Sequence, residues 1–303
     1  MNKQMNDQTK QNDRKRWDGS YILIGIVFLA GLILLLYPTI ADYWNSYHQS
    51  KAIISYSDSV SALSEAQKAQ QLARAKEYNA ALAQNGLDWH MSDEAKSAYV
   101  QTLDFAQDGA MGYIVIDKLK VRLPIYHGTN EKMLETSIGH LEETSLPIGA
   151  ASYDRKEERV TDENDGSHCV LTGHRGLPSA RLFSDLDKLK EGDLFTLTVL
   201  DETYTYQVDQ IRIVEPDDLT QLDIEKGKDL CTLVTCTPYG VNTHRLLVRG
   251  HRVADLQGEV TVNADAIIID SVYVAPFIAA PVILTLVLIV IFGNRKPKKG
   301  VNR

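Results

Sequence analysis

The chain has 303 residues, 44% apolar and 24% charged, a composition that argues against a disordered or fibrous protein and leaves room for one large or two ordinary domains. Its net charge of −8 is unevenly divided: residues 1–20 sum to +2, residues 293–303 to +5, and the middle to −15. So acidic a middle is no nucleic-acid-binding surface.

The basic ends flank two apolar runs. Gly19–Ala41 is 23 residues without a formal charge, and Ser271–Asn294 is 24. At about 1.5 Å of helical rise per residue, roughly 20 residues cross a hydrocarbon core of about 30 Å, so each run is long enough to span a membrane. Arg14, Lys15 and Arg16 precede the first run, and Arg295, Lys296, Lys298 and Lys299 follow the second. Flanking Lys and Arg stay cytoplasmic, so both termini are expected inside and the acidic middle outside, a multi-pass membrane protein. A cleavable signal peptide is the alternative for the first run; it would export the middle equally. For the second run the alternatives are a buried core helix and a glycolipid-anchor signal. Pro276, Pro281 and the basic tail count against both. The expected division is a cytoplasmic tail over 1–18, a span over 19–41, an exported helical segment over 42–108 and a β-domain over 109–254. A linker over 255–270, a second span over 271–294 and a basic tail over 295–303 follow.

Lys51–Gln84 is rich in Ala, Gln, Glu, Lys and Leu without proline and reads as helix, with Asn85-Gly86 as its stop. Leu63, Ala66, Ala69, Leu72 and Ala73 make a modest apolar stripe, as in a helix lying on another surface. Asp88-Trp89-His90 follows in a loop. From Gly112 the pattern changes to short β-branched and aromatic runs separated by turns, the mark of an antiparallel all-β domain. Strands are expected at 113–116, 123–126, 170–171, 194–200, 203–214, 230–235 and 245–253, with Asp201-Glu202 as a tight hairpin link. The charged stretch Asp154–Gly166 reads as an inserted surface loop.

The chain has three cysteines, Cys169, Cys231 and Cys236, and neither a Cys-x-x-Cys nor a His-x-x-x-His, so no metal or other cofactor is expected. Cys236 stands where an apolar strand ends in a Pro-Gly turn, which would leave a thiol exposed and rigidly aimed; the plainer reading is a small core hydrophobe. A thiol nucleophile needs a base and a group to hold the oxyanion. Arg245 can return beside Cys236 after the Gly240–His244 turn. Among eight histidines, His174 is favoured because it follows a short apolar strand and is framed by glycines. His244 is the local competitor, and His127, His140, His168 and His251 read as surface or packed residues.

Thr232-Leu-Val-Thr-Cys236 resembles the Thr-Leu-x-Thr-Cys signature of sortases, and the segment Thr172–Phe183 resembles the one bearing their histidine. Thr237–Gly250 resembles the segment bearing their arginine, and Gly139–Pro147 is similar to a stretch of the pilus-building class C subgroup. The resemblance, over about residues 75–253, implies a mainly-β chain: an eight-stranded sortase barrel with an N-terminal helical and lid segment and two flanking transmembrane helices. It implies Cys236 as nucleophile, His174 as acid/base and Arg245 as oxyanion or substrate clamp. It further implies cleavage of a Leu-Pro-x-Thr-Gly-like sorting signal between Thr and Gly, a thioester, and transfer to a pilin lysine on a Gram-positive surface. The expected partners are pilins or other surface proteins bearing that signal, the acceptor amine and membrane lipid. A cell-wall-anchoring sortase delivering to a peptidoglycan precursor and an inert tethered binding module are the alternatives.

Class C sortases resemble one another in a lid carrying Asp-Pro-aromatic; here Asp88-Trp89 lacks the proline. Asp88 is expected to reach Arg245 and Trp89 to sit over Cys236. Cys169 and Cys231 lie five residues before His174 and Cys236, respectively, so if their strands run parallel the two sulfurs are level and face the same way. A disulfide and a pair of reduced core thiols are the two expectations.

Overall fold

The structure is a computed structural model that describes residues 19–105 and 108–254. The second apolar run and both basic tails lie outside the described residues.

Helix α1 (Gly19–Ser61) runs without a break through Pro38 and past the end of the apolar run. Secondary structure therefore does not mark the boundary expected at residue 41. Among the described residues Leu34 and Leu35 are 75% and 73% exposed, whereas Ile53, Tyr56 and Val60 are buried against the β-domain. The helix read as continuous over Lys51–Gln84 is in fact two, because α1 stops at Ser61 and α2 (Glu65–Asn85) starts afresh. Ser64 and Gln67 form a capping box that satisfies the new N-terminus, a signal visible in the sequence as Ser-x-x-Gln. Gly86 ends α2 at φ +80°, where an L side chain is disfavoured. Buried Ala75, Asn79 and Ala83 recur every four residues, so α2 lays one face on the barrel. Asn79 fixes it there, donating to the carbonyls of Leu146 and Gly149 (3.1 and 2.8 Å) and accepting from the Leu146 amide (2.8 Å). Helix α3 (Asp93–Val100) is capped by Ser92.

The β-domain is a closed barrel. Its strands are β1 (Ala110–Ile116), β2 (Val121–His127), β3 (Ile138–His140), β6 (Ser167–Thr172), β7 (Leu194–Val199), β8 (Glu202–Val214), β9 (Asp229–Thr237) and β10 (His244–Arg252), in the order β1-β2-β3-β6-β9-β10-β8-β7. A four-residue helix α4 (Glu131–Leu134) precedes β3. The strands β4 (Tyr153–Asp154) and β5 (Arg159–Val160) form a small separate ladder inside the charged insertion, which is thus a folded hairpin rather than irregular loop. Asp165 anchors it through the amide and hydroxyl of Ser152 (both 2.7 Å).

Two pairings, β2 with β3 and β6 with β9, are parallel, so the sheet is mixed and not wholly antiparallel as the short-run pattern suggests. The hairpin link between β7 and β8 is Leu200-Asp201, one residue earlier than expected, since Val199 pairs with Glu202. Both turn residues have positive φ (52° and 64°), the geometry that matches strand twist. Inward-facing Ile114, Ile116, Leu123, Ile125, Leu171, Leu197, Leu233 and Val248 fill the barrel, each no more than 4% exposed. Strand β3 escapes sequence reading because three residues are too few for a periodicity. Its His140 is buried: Tyr99 of α3 donates to Nδ1 (2.8 Å) and Nε2–H donates to the Ser145 carbonyl (2.7 Å). The Gly139–Pro147 motif therefore serves as the seat for α2 and α3.

Candidate active site

Strands β6, β9 and β10 lie side by side, and their register brings three sequence-distant residues together. Arg245 on β10 is the cross-strand partner of Cys236 on β9, so their Cβ atoms stand roughly 4.5–5.5 Å apart on one face. On the other side Thr172 pairs with Val234. Carrying that parallel register two residues further sets His174 level with Cys236.

The segment bearing His174 is fixed by β9 itself. The Gly173 amide donates to the Val234 carbonyl (3.1 Å), and the Thr235 hydroxyl donates to the Gly173 carbonyl (2.7 Å). Gly173 is required here, because a Cβ would lie 2.9 Å from both Ile138 and Phe183 side chains. Arg175 closes the arrangement from the far side, donating to the Thr237 hydroxyl (3.2 Å) and to Asp187 (2.6 Å) with its guanidinium over the Tyr239 ring. The loop with the histidine and the turn after the cysteine are thus locked to each other. Arg175, Thr235 and Asp187 were not singled out by sequence reading; only the position of Thr235 in the Thr-Leu-Val-Thr-Cys run hinted at a role.

Cys236, His174 and Arg245 are all half-buried, reachable yet held. Arg245 donates from Nη1 to the carbonyls of His244 (3.2 Å) and Asn242 (3.4 Å), which among the described residues leaves further guanidinium donors for a substrate. The competitor His244 is one residue from Arg245 and so on the opposite face of β10, where its Nε2 meets Glu215 (3.2 Å). His168 is buried, with Nδ1–H donating to the Asp223 carbonyl (2.8 Å) and Nε2 accepting from the Thr232 hydroxyl (2.7 Å). Burial holds its pKa below the usual histidine range.

From the Cys236–Arg245 row a cleft of about 300 Å³ runs along the same outer face, lined by Thr172, Val234, Leu247, Val170, Leu219 and Leu222 among others. Trp89 packs into the cluster formed by Val170, Leu222 and Leu247, with Val234 alongside. It therefore packs on the apolar wall of that face, beginning two residues along β9 from Cys236, and not over the thiol as expected. Asp88 also departs from expectation: it is exposed and accepts from the His90 amide of its own loop (2.9 Å), and among the described residues no ion pair joins it to Arg245. Without proline the loop closes as a local Asp-turn instead.

Cys169 and Cys231 are register partners on parallel β6 and β9, level as their equal offsets require, and both are free thiols. Burial pushes the Cys231 thiol well up, which suits a protonated core residue. No cluster of three or more metal-ligating side chains occurs among the described residues.

A sortase domain description matches residues 114–253. The curated relatives include Bacillus subtilis sortase D, 29% identical over 48% of this chain and 64% of its own length, so the chain spans somewhat less than two thirds of that relative. A sortase C from Streptococcus pneumoniae is 40% identical with a TM-score of 0.56, over 67% of this chain and 96% of the other. Sortase C1 from Streptococcus agalactiae is 56% identical with a TM-score of 0.62, over 68% of this chain and 99% of the other. With more than half the residues shared across nearly the whole of a solved sortase C1 and the same fold, the chain belongs to the sortase family.

Proposed function

We propose that the chain is a membrane-anchored cysteine transpeptidase that joins a Leu-Pro-x-Thr-Gly-like sorting signal to a pilin lysine. The observation that carries this reading is the single row His174–Cys236–Arg245 on adjacent chain segments, with an apolar cleft leading to it. The Leu-Pro end of the signal lies in the cleft and the Thr carbonyl reaches Cys236. The thiolate attacks that carbonyl, and free donors of Arg245 hold the tetrahedral oxyanion. His174 as imidazolium gives its proton to the departing Gly amine, leaving an acyl-thioester. Neutral His174 then takes a proton from the incoming lysine amine as it displaces the sulfur.

The lysine acceptor draws support from the class C neighbours, one of which is described in terms of pilin substrate specificity. Helix α1 supports the anchor, being long and apolar enough to cross a membrane. The orientation follows the basic flanks, with both termini cytoplasmic and the barrel outside. Trp89 acts as a lid in this reading by packing on Val170, Leu222 and Leu247, the apolar wall on which the Leu-Pro end of the signal has to lie.

The test is transfer by the full chain in lipid nanodiscs, with a sorting-signal peptide and a lysine-bearing pilin peptide, read by mass. Wild type gives the isopeptide product, and Cys236→Ala and His174→Ala give none. Arg245→Lys lowers the rate by about a hundredfold, since one mobile ammonium replaces a fixed fork. Joining by Cys236→Ala overturns the assignment, and transfer to a peptidoglycan-precursor amine in preference to lysine overturns the pilin part.

A further inference from the structure

The way α1 is fastened to the barrel decides which end of the barrel meets the bilayer. Asp42 accepts from the Arg181 amide (2.9 Å), Asn45 donates to the Ser179 carbonyl (2.8 Å) and Gln49 donates to the Thr136 carbonyl (2.6 Å). Further along, Tyr56 donates to the Met111 carbonyl (3.0 Å) and accepts from the Leu200 amide (3.1 Å). With Ile53 and Val60 these residues form one helical stripe, so the helix that carries the apolar run is bonded along the barrel's side from Asp42 to Val60.

The rise of the helix converts these contacts into heights. Asp42 and Asn45 are within about 6 Å of Ala41, whereas Tyr56 is about 20 Å beyond it. The loop after His174 is therefore at the membrane surface and the Leu200-Asp201 turn is remote from it. A cleft of about 690 Å³ bears this out: Pro38 and Thr39, still within the uncharged run, line it together with Pro178, Arg181 and Tyr239. Tyr239 and Val241, in the turn just after Cys236, are 62% and 66% exposed, and Trp44 and Tyr47 on α1 are 61% and 55% exposed. Aromatic side chains at this height are the usual occupants of the bilayer interface. The three cations on the rim meet three carboxylates: Arg175 pairs with Asp187, Arg181 and Lys188 share Asp185, and Asp42 lines the same cleft.

We propose that the catalytic rim is a second membrane-contact surface, in which the Pro238–Val241 turn inserts Tyr239 and Val241 into the outer-leaflet interface beside α1. The occupant is the phospholipid bilayer itself, met by aromatic and apolar insertion. Because the rim charges are paired and the exported part is acidic, the contact does not depend on anionic lipid. Cys236 precedes Tyr239 by three residues, within about 10 Å along the chain, so the thiol is held at the height where a membrane-anchored substrate leaves the bilayer.

This rests on the proposed membrane crossing by α1, and the test separates the two. In a Cys236→Ala background, where Cys169 and Cys231 are buried, single cysteines at Val241, Ser61 and Leu34 are labelled with a polarity-sensitive fluorophore. The full chain is placed in phosphatidylcholine vesicles, with and without phosphatidylglycerol, with spin-labelled quencher lipids. The expected result is a blue-shifted label at Val241 quenched by headgroup-level quenchers in both vesicle types, an aqueous label at Ser61 and a label at Leu34 quenched from the acyl region. An aqueous, unquenched Val241 with a quenched Leu34 overturns the rim contact alone, as does a Val241 signal that appears only with phosphatidylglycerol. An unquenched Leu34 overturns the crossing and the rim contact with it. In the otherwise native chain, Val241→Glu keeps turnover of a soluble peptide while its rate on a vesicle-anchored sorting signal falls about tenfold; equal loss on both substrates counts against the proposal.

Discussion

On β9, Cys231 is fully buried and pairs with Cys169 in the barrel core, while Cys236, five residues on, is half-buried at the head of an open cleft. An odd offset on a strand puts the two on opposite faces, and that parity alone separates a core hydrophobe from a reagent. The inner face of β6, β9 and β10 is closed, apolar along its middle, with buried Thr235 near one end and the Ser167–Asp229 hydrogen bond at the other. The outer face of the same three strands carries Cys236, Arg245, the cleft and, beyond it, the His168–Thr232 pair. One sheet thus provides stability and chemistry on its two sides, and changes on each should register in different measurements.

The sharpest way to break that division is to exchange the cysteines' fates. Cys236→Ala should lower transfer by at least about a thousandfold with little change in melting temperature. Cys231→Ala should retain transfer and cost about 1–2 kcal/mol of stability, read by denaturant melts. Equal effects of the two on activity would dissolve the distinction.

A substitution that acts on both faces comes next. Thr235 faces inward, 1% exposed, yet its hydroxyl holds the carbonyl of Gly173 next to His174. Thr235→Val should cost about 1–2 kcal/mol and lower kcat about tenfold or more with KM little changed, and Thr235→Ser should restore both. Loss of stability without loss of kcat would show that the histidine is placed by other contacts.

Smaller effects are expected along the cleft. Trp89→Ala should raise the peptide cleavage rate a few-fold and speed labelling of Cys236 by a thiol reagent, because the apolar wall that Trp89 packs on no longer has to be cleared. Unchanged values for both would remove Trp89 from any gating role.

The smallest effect is a pH dependence of stability from His168. Burial lowers its pKa, so below the ordinary histidine value of about 6.5 the unfolded chain takes up a proton that the folded one refuses. Stability from this residue is full above about pH 6.5 and is lost as pH falls through that value. The melting temperature of wild type should drop more between about pH 7.5 and about pH 5.5 than that of His168→Asn; parallel drops would contradict it.

Composition and local pattern carried much of this protein. Apolar length and flanking charge determined a helix that can cross a membrane, turn-separated β-branched runs determined a β-domain, and Asn85-Gly86 determined where α2 stops. The segments around Cys236, His174 and Arg245 were legible because each stands at a strand end next to a turn. What the chain does not encode locally is which strands become neighbours. The parallel pairings of β2 with β3 and β6 with β9, the three-residue β3 and the placing of His174 level with Cys236 all follow from register between segments tens of residues apart. The same holds for Asp88 and Trp89, whose partners depend on where a loop lands on a finished barrel. Sequence determined which residues could react and which could lie in lipid. Only the closed sheet, by fixing register and by bonding α1 to its side, decided which of them face one another and which end of the barrel lies beside the apolar run.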